Sequence, residues 1–313
     1  MNTRALQNAI ILFDKPEGKT SYRAIEEVKR RLKIGKIGHS GTLDKSASGL
    51  LVLCTGRFTR LTRYFLESDK TYIGRIRLGI VTDTGDAEGR VTATADCSRV
   101  DEAVVKGIKE HFTGEISQTP PEYSAVKIGG MRASDRMRKG LGVQLQPRTV
   151  TIRELNIIGL DLGECIITIE VLCTKGTYMR ALARDIGIYL GTGACLESLR
   201  RTGVGGLDIR DAATVRELED YTGGQGIAKR FIVNPADAFP RFGRIVVKDT
   251  AVRFIGNGVP FGPSDVVSAE RRDGQRWMVM DSEKNLIAIA AVDLDNWSVA
   301  YYNVIHDLDG RSG

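Results

Sequence analysis

Strand-like and helix-like patterns follow one another irregularly along this chain, and that irregularity restricts its fold more than any other feature. The runs GLLVLCTG, TYIGRIRLGI, TVTIRELNIIGL and ECIITIEVLC are rich in Ile, Val and Leu and bounded by glycine or charge, as β-strands are. Within TYIGRIRLGI, Tyr72, Ile76, Leu78 and Ile80 share one face, with Arg75 and Arg77 on the other. A 3.6-residue period predicts three helices. Tyr22, Ile25, Val28 and Leu32 line the first, capped by Thr20 or Ser21; Val100, Ala103, Val104, Ile108 and Phe112 line the second. Tyr178, Leu182, Ile186 and Tyr189 line the third, with Gly191 as its stop. A doubly wound sheet needs regular alternation, so this succession predicts mixed α/β structure of another kind.

Apolar residues are 42% and charged residues 27% of the 313, the balance of a folded globule rather than a disordered chain or a coiled-coil rod. No run approaches the ~18 uncharged apolar residues of a membrane span. The opening MNTRALQNAIILFDKPEG does not read as a signal peptide, so a cytoplasmic location is expected. The net charge of +6 permits a polyanionic partner. From Arg244 onward there are eight basic and ten acidic residues, so any nucleic-acid footprint is expected in the larger N-terminal part. Cys54, Cys97, Cys165, Cys173 and Cys195 contain no CxxC pair, and only His39, His111 and His306 could join them in a metal site. No metal is expected, and the odd count and apolar settings predict reduced, buried thiols.

Two segments differ in texture. Residues 117–148 combine Pro120-Pro121, two glycine pairs and the charges of Lys127, Arg132, Arg136, Arg138, Lys139 and Arg148. Such a stretch suits a solvated loop or a basic arm that grips a phosphate backbone. Near NPADAFPRFG the prolines punctuate the chain, and RIVVKD, RWMVMD, LIAIAAVDL and VAYYNVI follow as strand-like runs. A catalytic domain over 1–243 and a small β-rich module over 244–313 are expected.

The densest unusual segment, KIGKIGHSGTLDKSASGLLVLCTGRFTR, sets glycines around His39 and Asp44 just before an apolar strand. Glycine density lets a backbone turn sharply or approach a ligand, although Asp44 could equally satisfy backbone N–H groups in a tight loop. GHSGT lacks the last glycine of a nucleophile elbow, and no P-loop occurs. Asp83-Thr84-Gly85 stands alone in a charged turn, without the second triplet of an aspartic protease or the spacing of a calcium loop.

GHSGTLDKSASGLL resembles the G-H-x-G-T-L-D-P-x-A-x-G-L-L block of the TruB family of tRNA pseudouridine synthases. KTYIGRIRLG, TDTGDAEG, QTPPEYSAVKIGGMR, CTKGTYMRALARDIG and LRRTGVG resemble further family blocks in the same order, over roughly residues 8–210. Lys45 stands where the family usually has proline, and ASDRMRKG departs from the family pattern after Arg132. The resemblance implies an α+β pseudouridine synthase fold, with a mixed, mainly antiparallel sheet, flanking helices and a small PUA-like C-terminal module.

It also implies a cofactor-free isomerisation of uridine 55 in the T-loop of tRNA, by a monomer acting on a flipped-out base. Asp44 would then be the nucleophile, Arg180 its charge partner, and Tyr72 the residue that stacks on the base and moves a proton late. Tyr178 and Leu199 would line the uracil pocket, His39 would stand near the flipped nucleotides, and Asp86 could bond a flipped neighbour. Lys36, Lys127, Arg132 and Lys175 would contact RNA, with Lys29, Arg30, Arg31, Lys33, Arg57, Arg60 and Arg63 supplying further positive charge. A non-catalytic RNA-binding or tRNA-folding protein on the same scaffold is the competing reading. A guide-RNA-dependent relative is another.

Overall fold

A computed structural model describes residues 6–222 and 229–305; the expected reading of His306 lies outside them. Strand β1 (Ile10–Lys15) leads through helix α1 (Ser21–Leu32) to β2 (Ile37–His39) and β3 (Ser48–Thr55). Helix α2 (Thr62–Glu67), β4 (Lys70–Leu78) and the hairpin β5 (Ile80–Thr82) and β6 (Val91–Thr94) follow. Next come α3 (Glu102–Phe112), β7 (Gly114–Gln118), the hairpin β8 (Lys127–Ile128) and β9 (Met131–Arg132), and α4 (Ala133–Arg138). The long β10 (Arg148–Asp161) and β11 (Ile166–Cys173) precede α5 (Met179–Tyr189), β12 (Ala194–Val204), β13 (Leu207–Asp208), α6 (Val215–Thr222) and β14 (Ile232–Val233).

Among the described residues these strands form a ten-stranded sheet ordered β14-β1-β3-β12-β4-β11-β10-β7, with β2 beside β3 and β13 beside β12. Its pairings are antiparallel except β3 with β12, which run parallel. The sheet is therefore mixed and mainly antiparallel, as expected. Where β3 meets β12, Gly49 has φ +110° and pairs with Arg201. A Cβ there would lie 2.3 Å from the Arg201 carbonyl oxygen, so only glycine lets the two strands close.

The helices form where the apolar period places them, but their buried faces are rotated from the expected stripes. In α1 the Thr20 hydroxyl accepts from the Arg23 N–H, and Ser21, Ala24, Ile25, Val28 and Leu32 face inward while Tyr22 is 73% exposed. A small residue lies closer to the sheet than tyrosine could, and Tyr22 keeps its hydroxyl in water. In α3 the inward stripe is Val105, Ile108 and Phe112, with Ala103 and Val104 outside. In α5 Tyr189 lies at the rim, and Gly191 with φ +73° follows the helix as its stop.

The last sheet runs β16-β15-β17-β18-β19, after α7 (Pro235–Ala238). Its strands are β15 (Gly243–Val247), β16 (Val266–Glu270), β17 (Trp277–Met280), β18 (Leu286–Asp293) and β19 (Ser298–Val304), with helix α8 (Asp249–Gly256) between the first two. One face packs on α8 through Ile245, Val247, Ala251 and Ile255. Met278, Met280, Leu286 and Ile289 on the other face join the core of the large sheet, beside Tyr64, Phe65 and Phe239. The guanidinium of Arg276 lies 5.0 Å from the Tyr64 ring centre, and the Tyr64 hydroxyl accepts from the Asn303 amide at 2.7 Å.

The expectation of five reduced thiols is corrected. Cys54, Cys173 and Cys195 are buried and free, but Cys97 and Cys165 form a disulfide with Cα atoms 6.3 Å apart. They are 68 residues apart in sequence, and the β5–β6 hairpin together with the pairing of β4 with β11 brings their neighbourhoods together.

Gly49→Ala is expected to lose about 3 kcal/mol of stability through positive φ and the clash with β12. Gly142→Ala, where a Cβ meets open space, should change it by less than about 0.5 kcal/mol. Urea unfolding of the two variants beside the wild type measures both.

Candidate active site

The loop between β2 and β3 is held from three sides. Ser40 exchanges backbone and side-chain hydrogen bonds with Val52 of β3. The Ser21 hydroxyl at the start of α1 accepts from the Leu43 N–H and donates to the Leu43 carbonyl, both at 2.9 Å. The Lys45 carbonyl accepts from the Gly18 N–H at 2.9 Å. Asp44 stands between these clamps with half of its side chain exposed. Lys45, in the place of the family's proline, reaches Glu88 at 3.2 Å.

Arg180, in the first turn of α5, approaches Asp44 from the buried side. Its Nε lies 3.0 Å from Asp44 Oδ2 and 3.6 Å from Asp86 Oδ2. Nη1 donates to the Thr84 carbonyl at 2.9 Å and Nη2 to the Tyr123 carbonyl at 3.0 Å. Asp86 is buried, and its Oδ1 accepts from the Thr84 hydroxyl and the Glu88 N–H. One guanidinium thus holds an exposed carboxylate, a buried carboxylate and two separate turns.

Asp44, Arg180, Tyr72, Tyr178 and Leu199 line one cleft of about 370 Å³, together with Lys70, Lys175 and Arg201. That volume accepts a single flipped base. Tyr72 projects from β4, and Leu199 from the bulged stretch of β12. Burial pushes the Tyr72 hydroxyl above its ordinary pKa, opposed first by the nearby charge of Arg201. Tyr178 caps α5 without a side-chain cap of its own. Instead the Gln118 carboxamide accepts from the Tyr178 N–H at 2.8 Å and donates to its carbonyl at 3.1 Å. Lys70 is buried and donates to the carbonyls of Phe65, Leu66 and Ser68. Burial lowers its pKa to about 8, helped by Arg201.

His39 ends β2 beside the cleft and is not among its lining residues. Its Nδ1 accepts from the Gly41 N–H at 3.3 Å, which puts the proton on Nε2, and burial lowers its pKa. Lys36 is exposed outside the cleft. Lys127 and Arg132 are exposed register partners in the β8–β9 hairpin. Several other expected cations are engaged internally. Arg31 pairs with Glu27 and Glu219, and Arg60 donates to the Val304 carbonyl.

The family model described as the TruB family pseudouridylate synthase N-terminal domain matches residues 29–179. That of the tRNA pseudouridylate synthase B C-terminal domain matches 180–239. The chain belongs to the TruB family. The tRNA pseudouridine synthase B of Burkholderia pseudomallei is 42% identical over 293 residues, 93% of this chain and 94% of that one. That of Cupriavidus metallidurans is 43% identical over 216 residues, 68% and 67% of the two chains. Among solved structures, an H/ACA RNP bound to a substrate RNA containing 2'-deoxyuridine matches with a TM-score of 0.74 at 22% identity, over 98% of this chain and 87% of that one. A Cbf5-Nop10-Gar1 complex matches at 0.73 and 25%, over 97% and 86%. This TruB-family chain therefore has the pseudouridine synthase fold with a small PUA-like C-terminal module, and it is a pseudouridine synthase, an isomerase.

Sequence reasoning missed Gln118, Lys70 and Arg201. Lys70 and Arg201 sit inside the motif blocks KTYIGRIRLG and LRRTGVG, where their place beside Tyr72 and Leu199 was a usable signal. Gln118 opens the block QTPPEYSAVKIGGMR, and its partner is the backbone of Tyr178, 60 positions away.

Arg180→Met should cost about 3 kcal/mol, since it leaves the buried Asp86 without a charge partner. Asp44→Asn, at an exposed position, should cost less than about 1 kcal/mol. Urea midpoints check both. The folded protein releases the Lys70 proton near pH 8, whereas the unfolded chain holds it to its ordinary value of 10.5. Stability should therefore rise with pH across that window, and the gain of wild type over Lys70→Arg, followed by urea midpoints from about pH 7.5 to 10, measures it.

Proposed function

We propose that this enzyme isomerises uridine to pseudouridine at position 55 in the T-loop of tRNA, acting as a cytoplasmic monomer with Asp44 as nucleophile. The observation that carries the reading is the 3.0 Å contact between Asp44 and the buried Arg180 at a cleft of base size. An attacking carboxylate must be ionised and aimed, and a guanidinium fixed by two carbonyls and a second carboxylate does both. The name and 42% identity of the Burkholderia relative favour tRNA as substrate.

In the reaction the C1'–N1 bond of the uridine breaks, the uracil turns, and C1' bonds to C5. C5 then loses its proton, and N1 gains one. Asp44 bonds transiently either to the anomeric carbon, with N1 as leaving group, or to C6. That bond breaks again before product leaves, which restores the free carboxylate, and Arg180 keeps its oxygens oriented. Tyr72 stacks on the flipped base, with Tyr178 and Leu199 on the remaining walls. Lys175, at the cleft, and Lys127 and Arg132, on the exposed hairpin, meet phosphates of the T stem-loop with Lys36. His39 stands by the flipped nucleotides as a neutral stacking or inserting group, and Asp86 acts chiefly through Arg180.

Tritium release from a tRNA transcript carrying uridine tritiated at C5 tests the reading. Wild type should release label from one T-loop position, and Asp44→Asn should fold, bind and release less by at least about 10⁴-fold. Folded wild type that binds the transcript and releases nothing overturns the assignment and favours an RNA-binding role.

A further inference from the structure

Among the described residues Arg201 is the largest of the fully buried side chains, with 1% of its surface exposed. Among the described residues no carboxylate lies within ion-pair distance of it, whereas the adjacent Arg200 pairs with Asp14 at 2.7 Å. An unpaired guanidinium in the interior is expensive, and an apolar residue of similar volume would generally stabilise the fold as well or better. Stability therefore does not account for it.

Its contacts do. Arg201 and Tyr72 are direct partners across the β12–β4 pairing, and both line the cleft. Arg201 Nε donates to the Leu50 carbonyl at 2.7 Å and Nη2 to the Gly41 carbonyl at 3.1 Å. Those carbonyls bracket the Asp44 loop on its two sides. The strongest charged or titratable influences on the Tyr72 hydroxyl are Arg201 from β12, Cys173 from β11 and Asp44 from the loop, and Lys70, Lys175 and Arg180 line the same cleft.

We infer that Arg201 is a positioning residue for the isomerisation: it fixes Tyr72 and the Asp44 loop in one frame and holds a positive charge behind the tyrosine hydroxyl. This rests on the reading in which Asp44 and Tyr72 serve the reaction. A planar fork can bind two diverging carbonyls at once, which an ammonium cannot, so lysine would keep the charge and lose the brace. When Tyr72 gives its proton to N1 and takes up the one that C5 releases, the phenolate between those two transfers stands beside a cation already in place.

The test measures tritium release and the titration of Tyr72, followed by NMR of ring-labelled tyrosine, in wild type, Arg201→Gln and Arg201→Lys. In Arg201→Gln, kcat should fall about 50-fold with KM within about threefold, and the Tyr72 midpoint should move up. In Arg201→Lys, the Tyr72 midpoint should stay near that of wild type while kcat falls about fivefold. An active wild type with an unmoved Tyr72 midpoint in Arg201→Gln, or with kcat within about threefold, overturns the inference. If Arg201→Gln does not fold, a folded Arg201→Lys decides, and a kcat loss under about twofold overturns it. A folded, inactive wild type instead overturns the earlier reading, and the Tyr72 titration still tests the influence of the Arg201 charge.

Discussion

A guanidinium taken out of water needs acceptors for its N–H groups, and the way Arg180 meets that requirement organises the site. Its partners come from the Asp44 loop, the turn at Thr84–Asp86 and the root of the 117–148 arm at Tyr123. None of these segments is adjacent to α5 in sequence. Each must reach its own place before the arginine is satisfied, so the site assembles as a unit. Gln118 extends the same logic by bonding the first backbone groups of α5 from the root of the arm.

At Lys45 the loop is constrained by hydrogen bonds and an ion pair instead of by a proline ring. A proline would limit the backbone beside Asp44 through its ring. Here the Gly18 N–H and the Ser21 hydroxyl hold the neighbouring carbonyls and N–H, and the lysine side chain reaches Glu88. Glu88 lies on the turn that carries Asp86, so the added charge bridges the two carboxylate-bearing segments across the surface.

Much of this was legible in the sequence, because strands and helices declare themselves through local period. The ordered motif blocks point to Tyr72, Asp44, Tyr178, Arg180 and Leu199, and all five line one cleft. What the sequence concealed depends on partners distant along the chain. Tyr22 and Val104 fit a helical stripe as well as Ala24 and Val105 do, and only the height of the sheet beneath each helix decides between them. The Cys97–Cys165 pair has no spacing signal, and α8 hides among strand-like runs because its apolar residues pack on a sheet not yet built when the pattern is read.

The two sheets do not keep separate interiors. Met278, Met280 and Ile289 from the late strands fill the same apolar volume as Phe65 and Phe239 from the body. During synthesis, the body emerges with that surface uncovered and acquires its last wall only when the chain has emerged through Ile305, which shares the same core. The body is therefore most exposed to sticking and proteolysis in the interval before the last strands dock.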